Sequence, residues 1–455
     1  MKKLNLLFLL AIMSCLTTFE SPNTSSIQEF TGIWLGSMKI SEALQLRIAF
    51  VIDDGANGGL SATMNIIEQK AFDIPMDTVI VSKNQLEIVF AAAGISYSGR
   101  YITEDQSFKG EYKQGDDTFD LVLNKVEKLP GEVIRTQTPK GPFPYSYEEV
   151  IFHNSKDDVD LAGTLTLPES GNSSPAIILV HGSGHTDRNE TKMGHFHLLA
   201  DYFTRNGFVV LRYDKRGVGS STGNYDDATT FDFAKDLESG IEFLKKRDDV
   251  DSNKIGIIGH SEGSLIAPMV ASADKDLAFI ILMGCMGVNG GEIRLQQTEK
   301  ISQLNGVPNE QIQLEIAKIK SYHNVIRKDG SNGSKYNTIK EMYPDMADGL
   351  INYLLMPWYQ NFISIEPTEY LRKVSCPVLA ISGEKDVQCP PNENLPKIET
   401  ALERGVTDKY LVKSLPNLNH LFQTSKSGLP IEYENIAEII APSVLELMLE
   451  WINVK

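Results

Sequence analysis

The stretch KIGIIGHSEGSLIAPMVAS, residues 254–272, decides how this chain is read. An apolar segment, Ile255 to Ile258, runs into Gly259-His260-Ser261-Glu262-Gly263 and then into a helix-friendly tail. A serine between two glycines, where a strand meets a helix, is either a tight turn or a site of chemistry. The flanking glycines let the chain turn sharply and hold the serine in strained backbone geometry. Its hydroxyl then projects from the sheet edge with a helix N-terminus beneath it. Alone, the G-x-S-x-G string is weak evidence. Glycine fills 35 of 455 positions and serine is about as common, so chance alone supplies about 0.2 matches.

The surroundings strengthen it. From about residue 175 continuous apolar runs recur: AIILV (176–180), FVVLRY (208–213), KIGIIG (254–259), AFIILMG (278–284), PVLAISG (377–383) and KYLVKSL (409–415). Helical patterns such as FHLLADYFTRNG and TTFDFAKDLESGIEFLKKR fall between them. Buried strands alternating with helices predict a parallel sheet covered on both faces. YEEVIF and VDLAGTLTLP, just upstream, read as a strand pair. The interval from about 287 to 370 breaks the rhythm with a largely helical pattern, which predicts a cap over the carboxyl edge of the sheet, where ligands bind.

A chain of 455 residues exceeds the roughly 250–300 at which single cores split, so more than one domain is expected. Residues 28–127 read as short β-strands. EALQLRIAFVID, GLSATMNI and DTFDLVLNKV alternate apolar and polar positions, and Gly-, Asn- and Asp-rich turns lie between them, the pattern of a small antiparallel barrel or sandwich. Pro- and Gly-punctuated residues 128–145 form the linker, and 146–455 the second domain.

A serine is inert until a base takes its proton. The chain has eight histidines: His153, His181, His185, His195, His197, His260, His323 and His420. A nucleophile elbow predicts the order Ser…Asp…His, with the acid after a later strand and the histidine after the last. His420 alone lies late enough, just beyond KYLVKSL, and Asp386 follows PVLAISG. Glu384 and Asp408 are alternatives for the acid. Oxyanion donors are expected at the backbone N–H of Glu262 and, from the loop HGSGHTDRN, at Ser183, each worth about 3 kcal/mol of barrier.

Carried by HGSGHTDRNE (181–190), LADYFTRNGFVVLRYDKRGVGSSTG (199–223), GHSEGSLIAP (259–268), MPWYQNF (356–362) and GEKDVQCPP (383–391), the region from about 148 onward resembles bacterial α/β-hydrolase esterases with a small β domain ahead of the catalytic one. The resemblance implies a helical cap, a Ser-His-Asp triad mapping onto Ser261, His420 and Asp386, and hydrolysis of carboxylic esters, often with short acyl chains. Ser264 departs from it, since many relatives carry a second glycine there. Such chemistry requires no metal or organic cofactor, and the expected partner is a small-molecule ester.

Other readings stand beside these. Ser261 in a non-catalytic turn would make the chain a binding protein, and a serine peptidase could share the fold. DKRGVGSS lacks the spacing of a phosphate loop, and HGSG lacks the third glycine of a dinucleotide fingerprint. His195 and His197, with His181, have no carboxylate or cysteine at ligand spacing. They read as pocket-lining or solvated, His195 being placed in the substrate pocket. Trp358, Tyr359 and Phe362 form a helix-spaced aromatic cluster that packs the cap or reaches the acyl pocket.

A net charge of −17 argues against nucleic acid or anionic lipid as a partner. MKKLNLLFLLAIMSC (1–15) reads as a secretory signal peptide, the alternative being a buried N-terminal helix. Ile12-Met13-Ser14-Cys15 resembles a lipoprotein cleavage box, so an extracytoplasmic protein, released or lipid-anchored through Cys15, is expected. Cys285, Cys376 and Cys389 make no disulfide framework. The sequence does not specify the oligomeric state.

Overall fold

The structure, a computed structural model, describes residues 30–40, 45–54, 59–69, 71–115, 117–131, 133–169 and 173–454. The expected signal segment and Cys15 lie outside the described residues. The chain divides into two compact units between residues 132 and 133.

The first unit is one antiparallel sheet of nine strands: β1 (Gly32–Lys39), β2 (Gln45–Asp54), β3 (Leu60–Ile66), β4 (Ala71–Pro75), β5 (Thr78–Ser82), β6 (Gln85–Phe90), β7 (Ile95–Ile102), β8 (Ser107–Gln114) and β9 (Asp117–Val126). Their order is β4-β3-β2-β1-β9-β8-β7-β6-β5. Period-2 alternation sends Ile48, Phe50 and Ile52 of β2, Ala62 and Met64 of β3, and Leu121 and Leu123 of β9 to one side. There they join Trp34, Tyr97, Phe108 and Tyr112 in a single core. One sheet around one core requires the sheet to curl, and β3 approaches β5 without pairing to it. The result is a partly closed barrel rather than two packed sheets.

The second unit is an eight-stranded sheet, β10 (Tyr145–Asn154), β11 (Val159–Pro168), β12 (Ser174–Val180), β13 (Val209–Tyr213), β14 (Val250–His260), β15 (Phe279–Met283), β16 (Val378–Gly383) and β17 (Tyr410–Leu415). The order is β10-β11-β13-β12-β14-β15-β16-β17. β11 runs antiparallel to both neighbours, and every pairing from β13 to β17 is parallel. Strands buried on both faces need apolar residues on both, hence the continuous runs. Helices Thr230–Lys245, Gly263–Ala271 and Pro391–Glu403 cover one face. Helices His195–Arg205 and Pro442–Val454 cover the other. Between β15 and β16 the chain leaves the sheet for six helices within residues 290–371, whose apolar residues, among them Ile319, Ile351 and Trp358, continue the first face's core.

From β12 the chain steps outward to β13, then returns across β12 to β14. That reversal opens a crevice beyond the carboxyl ends of β12 and β14, where open α/β sheets bind ligands. Among the described residues, no helix is long and apolar enough to cross a membrane.

Candidate active site

β14 ends at His260, and the helix Gly263–Ala271 begins three residues later. Ser261, between them, has φ +55°, a left-handed conformation that side chains resist. The turn is held by Ser261 N–H donating to Met283 O at 2.8 Å. The glycines are there for want of space. A Cβ on Gly259 would lie 2.1 Å from Gly263 O, and one on Gly263 2.2 Å from Val180 O.

The loop after β17 delivers His420, and the loop after β16 delivers Asp386. Both are buried, and His420 Nδ1 lies 2.7 Å from Asp386 Oδ2. The other carboxylate oxygen, Oδ1, accepts the backbone N–H groups of Gln388 and Cys389, both at 2.8 Å. Asp386 is thus fixed in rotation before it meets the imidazole. Gly284, after β15, backs the pair with φ +61°, and a Cβ there would lie 2.8 Å from His420 Cε1 and 3.0 Å from Nδ1. Gly284→Ala is therefore expected to push the ring aside and lower kcat/KM about 10- to 100-fold. Left-handed strain should cost stability only about 1–2 kcal/mol. Steady-state kinetics beside a urea unfolding curve checks this, and a fully active variant would mean that the ring tolerates displacement.

Opposite the imidazole, the loop after β12 supplies Gly182, Ser183 and Gly184. Gly182 N–H donates to Glu190 Oε1 at 2.8 Å, and Gly184 N–H to the Tyr225 hydroxyl at 3.1 Å. The backbone N–H groups of Ser183 and Glu262 have no partner among the described residues. Behind them Lys215 is buried, its Nζ 2.5 Å from Gly182 O and 3.3 Å from Gly184 O. It also lies 3.9 Å from Glu262 Oε2 and 4.6 Å from the Phe233 ring centroid. Glu262 Oε1 accepts from Thr230 Oγ1 and from Trp358 Nε1 of the cap, both at 2.8 Å. One buried carboxylate thus joins the elbow, the cap and, through Lys215, the loop carrying Ser183. Burial holds the Lys215 ammonium below its ordinary value, against the pull of Glu262 and Glu190.

Neighbouring charges in YDKRG are structural. Asp214 takes Arg188 in a two-point pair at 2.8 and 3.0 Å, and Arg216 pairs with Asp236 at 2.7 Å. These pairs tie Arg188 to the end of β13 and Arg216 to the helix Thr230–Lys245.

A cavity of about 750 Å³ lies over these groups, lined by Ser183, Ser261, His420, Arg294, Trp358 and Tyr359 among others. A family model described as "Serine aminopeptidase, S33" matches residues 171–338, from the start of β12 through the elbow into the cap. Esterase EstD of Thermotoga maritima is 22% identical over 347 residues, covering 72% of this chain and 75% of that protein. The second unit has the α/β-hydrolase fold. An uncharacterized 31.7 kDa protein of Escherichia coli is 26% identical to this chain over 256 residues, 55% of this chain and 85% of the other. Among solved structures, a Pyrococcus furiosus esterase shares 18% identity at a TM-score of 0.41, covering 63% of this chain and 90% of that one. The resemblance to bacterial esterases of this fold is borne out.

Of the residues expected from the sequence, the second unit brings Ser261, His420, Ser183, Trp358, Tyr359 and Phe362 to one cavity, with Asp386 behind His420. His195 does not line that cavity. It is buried, with Nδ1 3.0 Å from Glu190 Oε2 and Nε2 3.2 Å from Leu421 O. The carboxylate that the sequence reading found missing near it is Glu190, which gathers with His195 and His260. No motif marks Glu190, His260, Lys215, Gly284 or the Glu262 side chain: contacts such as Glu262–Thr230 and His260–His420 join residues 32 and 160 positions apart, and the Glu190–His195 spacing of 5 matches no ligand pattern.

Proposed function

We propose that this hydrolase cleaves carboxylic esters, short acyl chains among them, through a Ser261–His420–Asp386 triad and an acyl-enzyme. One observation carries the reading. The 2.7 Å His420–Asp386 pair and the left-handed Ser261 open into a cavity where two backbone amides have no partner among the described residues. His420 takes the Ser261 proton, and Asp386 holds the imidazole tautomer and stabilises the imidazolium. Ser261 attacks the ester carbonyl, the Ser183 and Glu262 amides receive the oxyanion, and the alcohol leaves with the proton from His420. Water activated by the same histidine then releases the acid. No step calls for a metal or organic cofactor. The N-terminal run at residues 1–15 supports an extracytoplasmic place of work.

The matched family model's description raises aminopeptidase activity as the second reading. An aminopeptidase must hold a substrate ammonium, normally with a carboxylate. Among the described residues lining the cavity, the carboxylates are Glu190 and Glu315. Glu190 is taken by two histidines, and Glu315 lies 3.6 Å from Lys318. An incoming ammonium would instead face Arg294 and Lys318. That charge pattern favours neutral or anionic esters.

Purified protein tested on p-nitrophenyl esters of increasing acyl length and on aminoacyl p-nitroanilides is expected to turn over the esters well ahead of the anilides. A fluorophosphonate probe should label Ser261. The reverse order of substrates would return the assignment to a peptidase, and folded protein that resists the probe would make the chain a binder.

A further inference from the structure

At the floor of the cavity lies a cluster the proposed chemistry leaves unused. The side chains of Glu190, His195 and His260 are only 4%, 1% and 4% exposed. Glu190 Oε1 lies 2.8 Å from His260 Nδ1 and Oε2 3.0 Å from His195 Nδ1. The far nitrogens face main-chain carbonyls, His260 Nε2 at 3.0 Å from His420 O and His195 Nε2 at 3.2 Å from Leu421 O. Glu190 Oε1 also accepts Gly182 N–H. One carboxylate and two rings thus connect the main chain that carries the catalytic base to the loop that carries the Ser183 amide.

We propose that Glu190 is a positioning residue for acyl transfer, the centre of a proton-rich clasp that holds the His420–Leu421 backbone and the oxyanion loop in register. The proposal rests on the triad reading above. A neutral imidazole has one N–H and one bare nitrogen, yet each ring here faces an oxygen acceptor on both sides. Two neutral rings and a carboxylate bring two protons to contacts that need four. The fully bonded cluster therefore carries one net positive charge. Losing a proton sets a bare nitrogen against an oxygen lone pair in a buried place, which is costly.

Burial opposes charge on all three groups, and their mutual attraction divides them. The His260 charge and the bonds from both rings outweigh burial and hold the Glu190 carboxyl well below its usual range. Against its own burial, Glu190 raises His260, whereas burial keeps His195 below its ordinary value. His260 thus holds its second proton to higher pH, and losing it frees the His420 carbonyl. The sign follows: the cluster is fully bonded only below the lowered His195 value, while the His260 link to the His420 carbonyl persists beyond it and is lost as pH rises through the raised His260 value. Other charges also face the cluster. Lys215 and His181 feel Glu190, with burial pushing His181 down to about 4. Asp386 acts on His260, whose ring centroid lies 4.7 Å from that of His420.

Glu190→Ala and Glu190→Gln, assayed from pH 5 to 10 on p-nitrophenyl acetate, test the clasp. Glu190→Ala is expected to lower kcat about 100-fold with KM within about twofold. Glu190→Gln should recover most of kcat near neutrality, because its amide donates to a bare Nδ1 and still accepts Gly182 N–H. Removing the negative charge makes His260 easier to deprotonate. The alkaline limb of the kcat/KM profile of Glu190→Gln should then move to lower pH, which a purely structural role would not cause. A folded Glu190→Gln enzyme whose profile overlays the unaltered one overturns the proposal, even if Glu190→Ala fails to fold. So does a loss of activity on EDTA treatment that a divalent metal restores, since the rings would then hold a cation in place of protons. Ser261→Ala in the same assay keeps the questions apart: if it stays active the triad fails, whereas an inactive Ser261→Ala beside an unaltered Glu190→Gln profile sinks the clasp alone.

Discussion

Ser261→Ala is expected to lower kcat on p-nitrophenyl acetate by about 10⁵- to 10⁶-fold, by analogy with the loss of the serine in other triads. Stability should not fall with it. The Ser261 side chain makes no hydrogen bond among the described residues, so its removal orphans no partner, and a left-handed nucleophile stores strain for function. The unfolding midpoint should stay level or rise. The double variant Ser261→Ala/His420→Ala should be no slower than either single one, because nucleophile and base act as a unit. On the proposed mechanism the residual rate comes from the Ser183 and Glu262 amides. Rates normalised to folded protein decide the matter, and a loss below tenfold would remove Ser261 from the proposed role.

Asp386→Asn should cost about 10⁴-fold in kcat, the scale of a wrong-tautomer defect, and the reason can be read from its surroundings. Two backbone donors, from Gln388 and Cys389, converge on Oδ1. An asparagine must leave its oxygen there, because an NH₂ group would meet two N–H groups head-on. Its NH₂ then faces His420 Nδ1, where the carboxylate oxygen lay at 2.7 Å. The ring can meet that donor only with Nδ1 bare, which moves the proton to Nε2 and leaves no acceptor for the Ser261 hydroxyl. Measured pH–rate profiles should show a rate that rises with pH as the wrong tautomer is bypassed. An Asp386→Asn enzyme within tenfold of the original would show that the acid lies elsewhere, at Glu384 or Asp408. In this structure Glu384 Oε2 instead accepts Asn417 N–H at 3.1 Å.

The α/β sheet was readable because its strands are buried on both faces, which forces uninterrupted apolar runs such as Ile177–Val180 and Phe279–Met283. The curled first sheet was readable from alternation, but alternation fixes which side is buried and not how many sheets share the burial. Only the pairing of β1 with β9 joins its two halves into one sheet. The order Ser…Asp…His follows from strand order, so Ser261 and His420 were candidates from position, with Asp386 the first choice for the acid beside Glu384 and Asp408. Trp358 was singled out for its ring, and its bond to Glu262 was not foreseen. His195 reads from the sequence as pocket-lining, yet it begins the helix His195–Arg205 and both its nitrogens are taken by groups beneath the site.

By itself, the sequence determined the two-unit organisation, the α/β layering and the kinds of residue available for chemistry, because burial period and strand order are local signals written into consecutive positions. Tertiary structure alone decided which charges are spent on each other: Glu190 on His195 and His260, Lys215 on Glu262, Arg188 on Asp214. Such partners are set by where loops from distant strands converge. A buried charge takes whichever opposite charge or donor that convergence brings within a few ångströms.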